Sequence, residues 1–358
     1  MTAPSSRRQF FASSALGAAA IMAAPAVATA SRTSSEVIIG EGDYQYRVNH
    51  AFPQLPDKYS WQTTHNVALD KAGTLYVIHE GRRDLKDHPS IFVFDKDGKF
   101  VRAFGCQFQG GGHGIEVRDE GGTEFLYVAA YQQVKAFAKM TPTGETVWSK
   151  KAPMESGKYA PGEDISTEPT WSRQGFLPTN FAFLDDGGFL LADGYGTCCI
   201  HRYDKDAKWI SSFGGAGAGE GTFDTAHGLW IDNRPGREPS IVVTDRAHDT
   251  LQILSMDGVY KETLTGFGLP ANVDIWKNLM LVPELKACVT LLNEKNEVVA
   301  KLGRPPEGQP AVEGLRGKPD QWVDGQFVHP HDACFAPNGD IYVAEWVATG
   351  RITKLERI

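Results

Sequence analysis

Four of the ten histidines in this 358-residue chain fall at one equivalent place in short recurring blocks. The blocks read Thr64-His65-Asn66-Val67-Ala68-Leu69-Asp70, Gly112-His113-Gly114-Ile115-Glu116-Val117, Ala226-His227-Gly228-Leu229-Trp230-Ile231-Asp232 and Pro330-His331-Asp332-Ala333-Cys334-Phe335. Each opens an apolar-alternating run. Imidazoles brought to one point bind a divalent transition metal, and three of them plus an open position make the usual catalytic zinc centre. Such a centre polarises a carbonyl or acidifies a bound hydroxyl.

The elements that would bring them together form a repeat. The unit is an anchor residue, an apolar-alternating strand, an Asp-X-Gly turn, a second strand, a polar loop and two further strands joined by an Asp-X-X-Gly turn. Asn66 to Gly73, Thr74 to Val77, Ile91 to Gly98 and Lys99 to Gly105 spell it out once. The same order follows His113, Thr179, His227, Ala271 and His331, with anchors roughly 44 to 66 residues apart. That period suits four-stranded blades with variable loops. It predicts an all-β fold, a six-bladed β-propeller. The last repeat is one strand short, and an orphan strand at 44–50 is expected to pair with it and close the ring. First strands line the axis of a propeller, so the anchors form a ring of His65, His113, Thr179, His227, Ala271 and His331. On alternate blades, His113, His227 and His331 stand about 120° apart by the sixfold geometry. His65 has no symmetric partner on blades three or five and is expected behind the metal ligands or against the substrate.

Composition narrows the class. Net charge is −8, with no lysine- or arginine-rich block, so nucleic acid is not an expected partner. The 38 glycines recur at turns, which favours short strands over helices. Ser5-Ser6-Arg7-Arg8-Gln9-Phe10-Phe11 reads as a twin-arginine signal, followed by a short apolar stretch at 15–27 and a small-residue cleavage site at Ala28-Thr29-Ala30. Residues 1–30 are therefore expected to be a signal peptide and 31–358 the propeller. The expected location is the periplasm or beyond, with no membrane association after cleavage. The five cysteines form no CxxC motif, so neither a disulfide framework nor a cysteine zinc site is indicated.

These residues resemble those of the peptidyl-α-hydroxyglycine α-amidating lyase family, within the wider group of NHL-repeat propellers. The likeness rests on His113-Gly114-Ile115, Ala226-His227-Gly228 and Pro330-His331-Asp332, and on two loops, Asp193-Gly194-Tyr195-Gly196 and Thr244-Asp245-Arg246. It implies zinc on His113, His227 and His331. It further implies a channel calcium on Asp332 and the carbonyls of Val67 and Ile115. Tyr195 would be the general base and Arg246 a substrate contact. Ile78-His79-Glu80-Gly81-Arg82-Arg83-Asp84 falls where the family carries His-Arg-Gly-Asp in a different register, so the arginine role there passes to Arg82 or Arg83. The implied reaction cleaves a C–N bond of an α-hydroxyglycine-type small molecule or peptide.

Insertions at 151–174 and 304–326, and Cys198-Cys199 where the family loop runs to an arginine, set the chain apart. Two alternatives stand beside the lyase. One is a calcium-dependent hydrolase of the gluconolactonase type, for which Asn180, Asn272, Glu284 and Glu345 would supply oxygen ligands. The other is a non-catalytic NHL-type scaffold that binds through Trp61, Trp148, Trp171, Trp322 and Trp346. Ring closure favours a monomer.

Overall fold

A computed structural model describes residues 36–168, 171–306 and 312–358, so the twin-arginine segment lies outside the described residues. The chain builds six antiparallel sheets in sequence order, the six-bladed propeller that the repeat predicts. The inner strands of blades one to six are Thr64–Leu69, Gly112–Glu120, Phe181–Phe183, Ala226–Asp232, Asp274–Trp276 and Pro330–Phe335. Second and third strands, such as Leu75–His79 and Ile91–Phe94, are buried along their whole length. Their continuous apolar runs fit sheets covered on both faces by neighbouring blades. Outer strands such as Thr146–Lys150 are mostly exposed.

The hairpins follow from Asp and Asn side chains that mimic a turn. Asp95 Oδ1 accepts from the amides of Asp97 and Lys99, each at 2.9 Å, and Gly98 takes φ +78°. Asp204 repeats the pattern with Ala207 at φ +56°, and Asn293 repeats it with Asn296 at φ +63°. The turn therefore survives where glycine is missing.

The last blade has five strands rather than four. Tyr46–Asn49 pairs with Arg351–Arg357, Val48 lying opposite Leu355, as the orphan strand predicts. A further two-residue strand, Ile38–Ile39, pairs with it on the outside. Tyr46 and Leu355 are fully buried with Phe327 and Ile341. His50 adds a polar clasp: its Nδ1 lies 2.8 Å from Thr353 Oγ1, and the Gly325 amide donates to its Nε2 at 3.1 Å.

The inner strands have one further shared irregularity. In blades one, two, four and six the pairing register shifts across the anchor, between Thr64 and Asn66, Gly112 and Gly114, Ala226 and Leu229, and Pro330 and Asp332. Each histidine thus sits on a β-bulge. A bulge leaves one residue outside the ladder and re-aims its side chain, and here all four imidazoles turn into the channel.

Closure should carry much of the stability. Leu355→Ala should lower the unfolding free energy by about 2–5 kcal/mol, read from urea unfolding, whereas exposed Val101→Ala should change it by less than about 0.5 kcal/mol. Burial, helped by the Arg351 charge, pushes His50 down from 6.5 to about 4. The folded imidazole therefore stays neutral where the unfolded one takes a proton. Stability should fall as pH drops from 6.5 towards about 4, and His50→Gln should flatten that slope.

Candidate metal centre

Three bulge histidines are oriented in the same way. His113 Nδ1 lies 2.9 Å from the Thr179 carbonyl, His227 Nδ1 2.6 Å from the Ala271 carbonyl, and His331 Nδ1 2.8 Å from the His65 carbonyl. In every case the acceptor is the anchor residue of the next blade, and the last contact crosses from blade six to blade one. A carbonyl only accepts, so each Nδ1 carries the proton and each Nε2 carries a lone pair. The three rings lie 4.7 to 5.0 Å apart, centroid to centroid.

His113 Nε2 and His227 Nε2 stand 3.1 Å from one another, and His331 Nε2 is buried with no partner. Lone pairs so placed repel unless a cation lies among them. Burial pushes all three histidines well below their usual range, so a proton is a poor candidate for that cation. A tetrahedral ion with Zn–N bonds of about 2.0–2.1 Å would set its ligand nitrogens about 3.3 Å apart. Three imidazoles are a donor set that suits zinc, the His113–His227 spacing is close to that value, and the backbone carbonyls behind the rings supply the orienting partners that metal-bound histidines usually have.

His65 completes the cluster differently. Its ring is 4.8 Å from His113 and 4.5 Å from His331, and His65, His113 and His331 also offer nitrogens within 4.8 Å of one another. Its Nε2, however, is held by Glu80 Oε2 at 3.2 Å, and Gln132 donates to the other Glu80 oxygen. The trio fixed on carbonyls, His113, His227 and His331, is the better ligand set. His65 borders it as a carboxylate-tethered imidazole whose Nδ1 is unpartnered.

Glycine after the histidine is required by packing. A Cβ on Gly114 would lie 2.3 Å from the Thr179 oxygen, and one on Gly228 would lie 2.6 Å from the Ala271 oxygen and 2.4 Å from Asn272 Cα. These oxygens are the ones that orient His113 and His227.

Tyr195 and Arg246 lie against the histidine cluster. The Tyr195 hydroxyl is 3.0 Å from His227 Nε2 and 3.4 Å from His113 Nε2, and Arg246 Nη1 donates to it at 2.9 Å. Burial raises the Tyr195 phenol, and the Arg246 guanidinium pulls it back. Asp193 fixes the tyrosine loop by accepting from the Leu177 amide (2.7 Å), the Thr197 amide and hydroxyl (2.9 and 2.7 Å) and Tyr159 (3.0 Å). Asp245 fixes the arginine loop through the Asp224 amide (2.7 Å), His248 (2.7 Å) and Gln252 (3.0 Å). Tyr131 stacks on Tyr195 at 5.3 Å, and exposed Trp171, carried by the 151–174 insertion, stands edge-on to both at 5.9 Å. That insertion is anchored by a buried Lys135–Glu163 ion pair of 2.6 Å.

Arg82 and Arg83 are placed elsewhere. Both are largely exposed, Arg82 bonded to Asp84 and Arg83 to Glu168. The side chain of that segment which reaches the histidines is Glu80. The expected tryptophan patch is not contiguous either: Trp148 packs in the core between blades two and three, and Trp322 and Trp346 lie under Arg351 and Arg316.

Farther along the channel lies a tier of oxygen donors. Asp332 accepts from the Val67 amide at 2.8 Å and from Asn272 Nδ2. Glu116 hydrogen-bonds to Asn180 and Asn272, and burial raises it well above the usual carboxylate range. Asn66 Oδ1 and Asn272 Oδ1 are buried without partners. Val67, Glu116, Asn272, Asp274 and Asp332 line a cavity of about 120 Å³. Ile115 adjoins Glu116 on the same strand and is fully buried. Carboxylate and amide oxygens of this kind fit a hard cation such as calcium. By contrast, Glu345 is bonded to Arg351 and to the Val328 amide, and Glu284 to Thr290 and the Gly268 amide.

Gly228→Ala should push the Ala271 carbonyl away from His227 and weaken the affinity of the histidine cluster for added zinc by about 10–100-fold. A chelator-competition titration reads this, with Gly317→Ala, where a Cβ meets nothing within 4 Å, as the neutral control.

No family model matches the chain. Over 316 residues it is 25% identical to peptidyl-alpha-hydroxyglycine alpha-amidating lyase 1 of Drosophila melanogaster, covering 78% of this chain. The match takes in 54% of the relative, so the chain spans about half of that protein's length. Among solved structures, a gluconolactonase from Xanthomonas campestris aligns with TM-score 0.56 at 13% identity, over 90% of this chain and 96% of that one. A virginiamycin B lyase variant from Staphylococcus aureus aligns with TM-score 0.52 at 12% identity, over 87% of this chain and all of that one. The chain is similar in sequence to an amidating lyase and shares its propeller fold with a lyase and a lactonase.

Proposed function

We propose that this chain is an exported zinc-dependent lyase that cleaves the C–N bond of an α-hydroxyglycine-type substrate, a small molecule or the end of a peptide. The observation that carries this reading is the pair of deprotonated imidazole nitrogens of His113 and His227, 3.1 Å apart and buried, with His331 Nε2 unpartnered beside them. Similarity to an amidating lyase supports it. The twin-arginine segment supports export to the periplasm or beyond.

Zinc on His113, His227 and His331 would supply Lewis acidity to the substrate hydroxyl. Tyr195, within hydrogen-bond reach of the same nitrogens, takes the hydroxyl proton. Arg246 donates to the Tyr195 oxygen and favours the phenolate that accepts this proton, and it is placed to hold a substrate oxygen. The hydroxyl oxygen's electron pair forms the carbonyl, the C–N pair leaves with the amide nitrogen, and a proton returns to that nitrogen. The products are an amide and a glyoxylate-type aldehyde. The calcium proposed on Asp332, with the backbone of Val67 and Ile115, would brace the blades beneath.

A second reading, a calcium-dependent hydrolase of the gluconolactonase type, is favoured by one observation, the convergence of Glu116, Asn180, Asn272 and Asp332. It would need calcium as the only metal and turnover of a lactone.

Zinc should be present in the purified protein by elemental analysis, and aldehyde should be released from an α-hydroxyglycine compound. His227→Ala should abolish both; retained zinc and turnover would remove the proposal. Tyr195→Phe should keep the zinc and lower kcat by about 10²–10⁴-fold.

A further inference from the structure

We propose that the insertion at 151–174 is a clamp on the Tyr195 loop, with Tyr159 and Arg173 as positioning residues that hold the phenol against the histidine nitrogens. The inference rests on the reading of Tyr195 as the group that acts at the metal centre. The loop Asp193-Gly194-Tyr195-Gly196 is gripped by the insertion on both sides of the tyrosine. Tyr159 donates to Asp193 Oδ2 at 3.0 Å. Arg173 Nη1 donates to the Gly196 carbonyl at 3.3 Å and to Cys198 Sγ at 2.7 Å, and its Nη2 donates to Asp224 Oδ1 at 2.8 Å. The two contacts share one base, because the Ala160 amide donates to the Gln174 carbonyl at 3.1 Å.

The first contact ends a hydrogen-bond chain that runs one way. Trp209 Nε1 only donates, and it donates to His201 Nδ1 at 3.2 Å. Burial pushes His201 down from 6.5 to about 3, so the ring is neutral and its proton sits on Nε2. That nitrogen lies 2.6 Å from the Tyr159 oxygen, which leaves the Tyr159 proton to Asp193. The chain leads from the outer strand of blade three, Trp209–Gly214, through the insertion to the carboxylate two residues before Tyr195. Asp193 is fully buried and also accepts from the Leu177 amide and from Thr197, so its position sets that of the loop.

The second contact uses the cysteine pair that sets this loop apart. Cys198 takes φ +58°, and its thiol reaches back to the Gly194 carbonyl at 3.4 Å while the same sulfur receives Arg173. The guanidinium is thereby linked to the residues before and after Tyr195. The loop has no slack: a Cβ on Gly196 would collide with the Gly175 oxygen and the Asp193 carboxylate, and one on Gly194 with the Ala226 oxygen. Trp171, two residues before Arg173, closes edge-on over the Tyr195 ring at 5.9 Å. The phenol so held stands 3.0 Å from His227 Nε2 and 2.9 Å from Arg246 Nη1. Misplacing a reacting group by about 1 Å costs on the order of 10²-fold in rate.

The test uses the full chain and two readouts, amide hydrogen exchange followed by mass spectrometry and steady-state kinetics on an α-hydroxyglycine compound. Tyr159→Phe and Arg173→Ala should each speed exchange across residues 193–198 about tenfold, as expected for the loss of one hydrogen bond. Exchange in the second strand of blade five, Leu279–Glu284, should stay as in the parent. Both variants should lower kcat about 10–100-fold with KM within about twofold and zinc content unchanged. Arg173→Lys should restore part of each loss. Ile165→Ala, 81% exposed on the same insertion, should match the parent in both readouts. Unchanged exchange across 193–198, equally faster exchange in blade five, a loss confined to KM, or the same response from Ile165→Ala would each overturn the clamp. A parent chain that turns over no α-hydroxyglycine compound would count against the lyase alone, and the exchange comparison would then decide the clamp by itself.

Discussion

The site depends on one hydrogen-bond geometry used three times. An imidazole on every second blade gives its Nδ1 proton to a carbonyl of the blade that follows, which leaves a lone pair aimed at the channel axis. The bulges permit it, because a residue outside the ladder has both its side chain and its carbonyl free. His65 shows both uses: its carbonyl orients His331, while its own ring is turned by Glu80. Burial keeps these rings neutral, and burial also makes an unfilled cluster of lone pairs unfavourable.

Residues just after the anchors follow the same alternation. On even blades these are Gly114, Gly228 and Asp332; on odd blades they are Asn66, Asn180 and Asn272. Gly114 and Gly228 admit the neighbouring carbonyls, while Asn180 and Asn272 hydrogen-bond to Glu116 and Asn272 also to Asp332. One step along the channel therefore changes the donor set from nitrogen to oxygen, and with it the kind of cation that fits. The two ions implied by the family resemblance are compatible with one channel for this reason.

The fold was legible because its signals repeat. Asp-X-Gly turns, apolar second strands and an anchor every blade are local patterns, and the unpaired strand at 44–50 followed from the shortage in the last repeat. Ile38–Ile39 gave no signal, since two residues are too short for a period. The histidines, Tyr195 and Arg246 were legible from motifs that sit at fixed places in the repeat. Glu80 was harder to read: it follows the second strand of blade one, where a shift of two residues, from Glu80 to Arg82, exchanges a carboxylate for a guanidinium. Trp171 was legible only as part of a possible aromatic patch and not as a neighbour of Tyr195, because insertions carry no periodicity and its position is set by long-range packing, including the Lys135–Glu163 pair.

The seam between blades six and one has a consequence for assembly. His331 belongs to the last blade to be synthesised, and its orienting carbonyl belongs to the first. A chain still lacking its final repeat owns only two of the three nitrogens, and the strand that locks the seam comes from near its beginning. Were the proposed ion to bind there, its capture would report that the circle has been completed and would belong to the final step of maturation rather than to any single repeat.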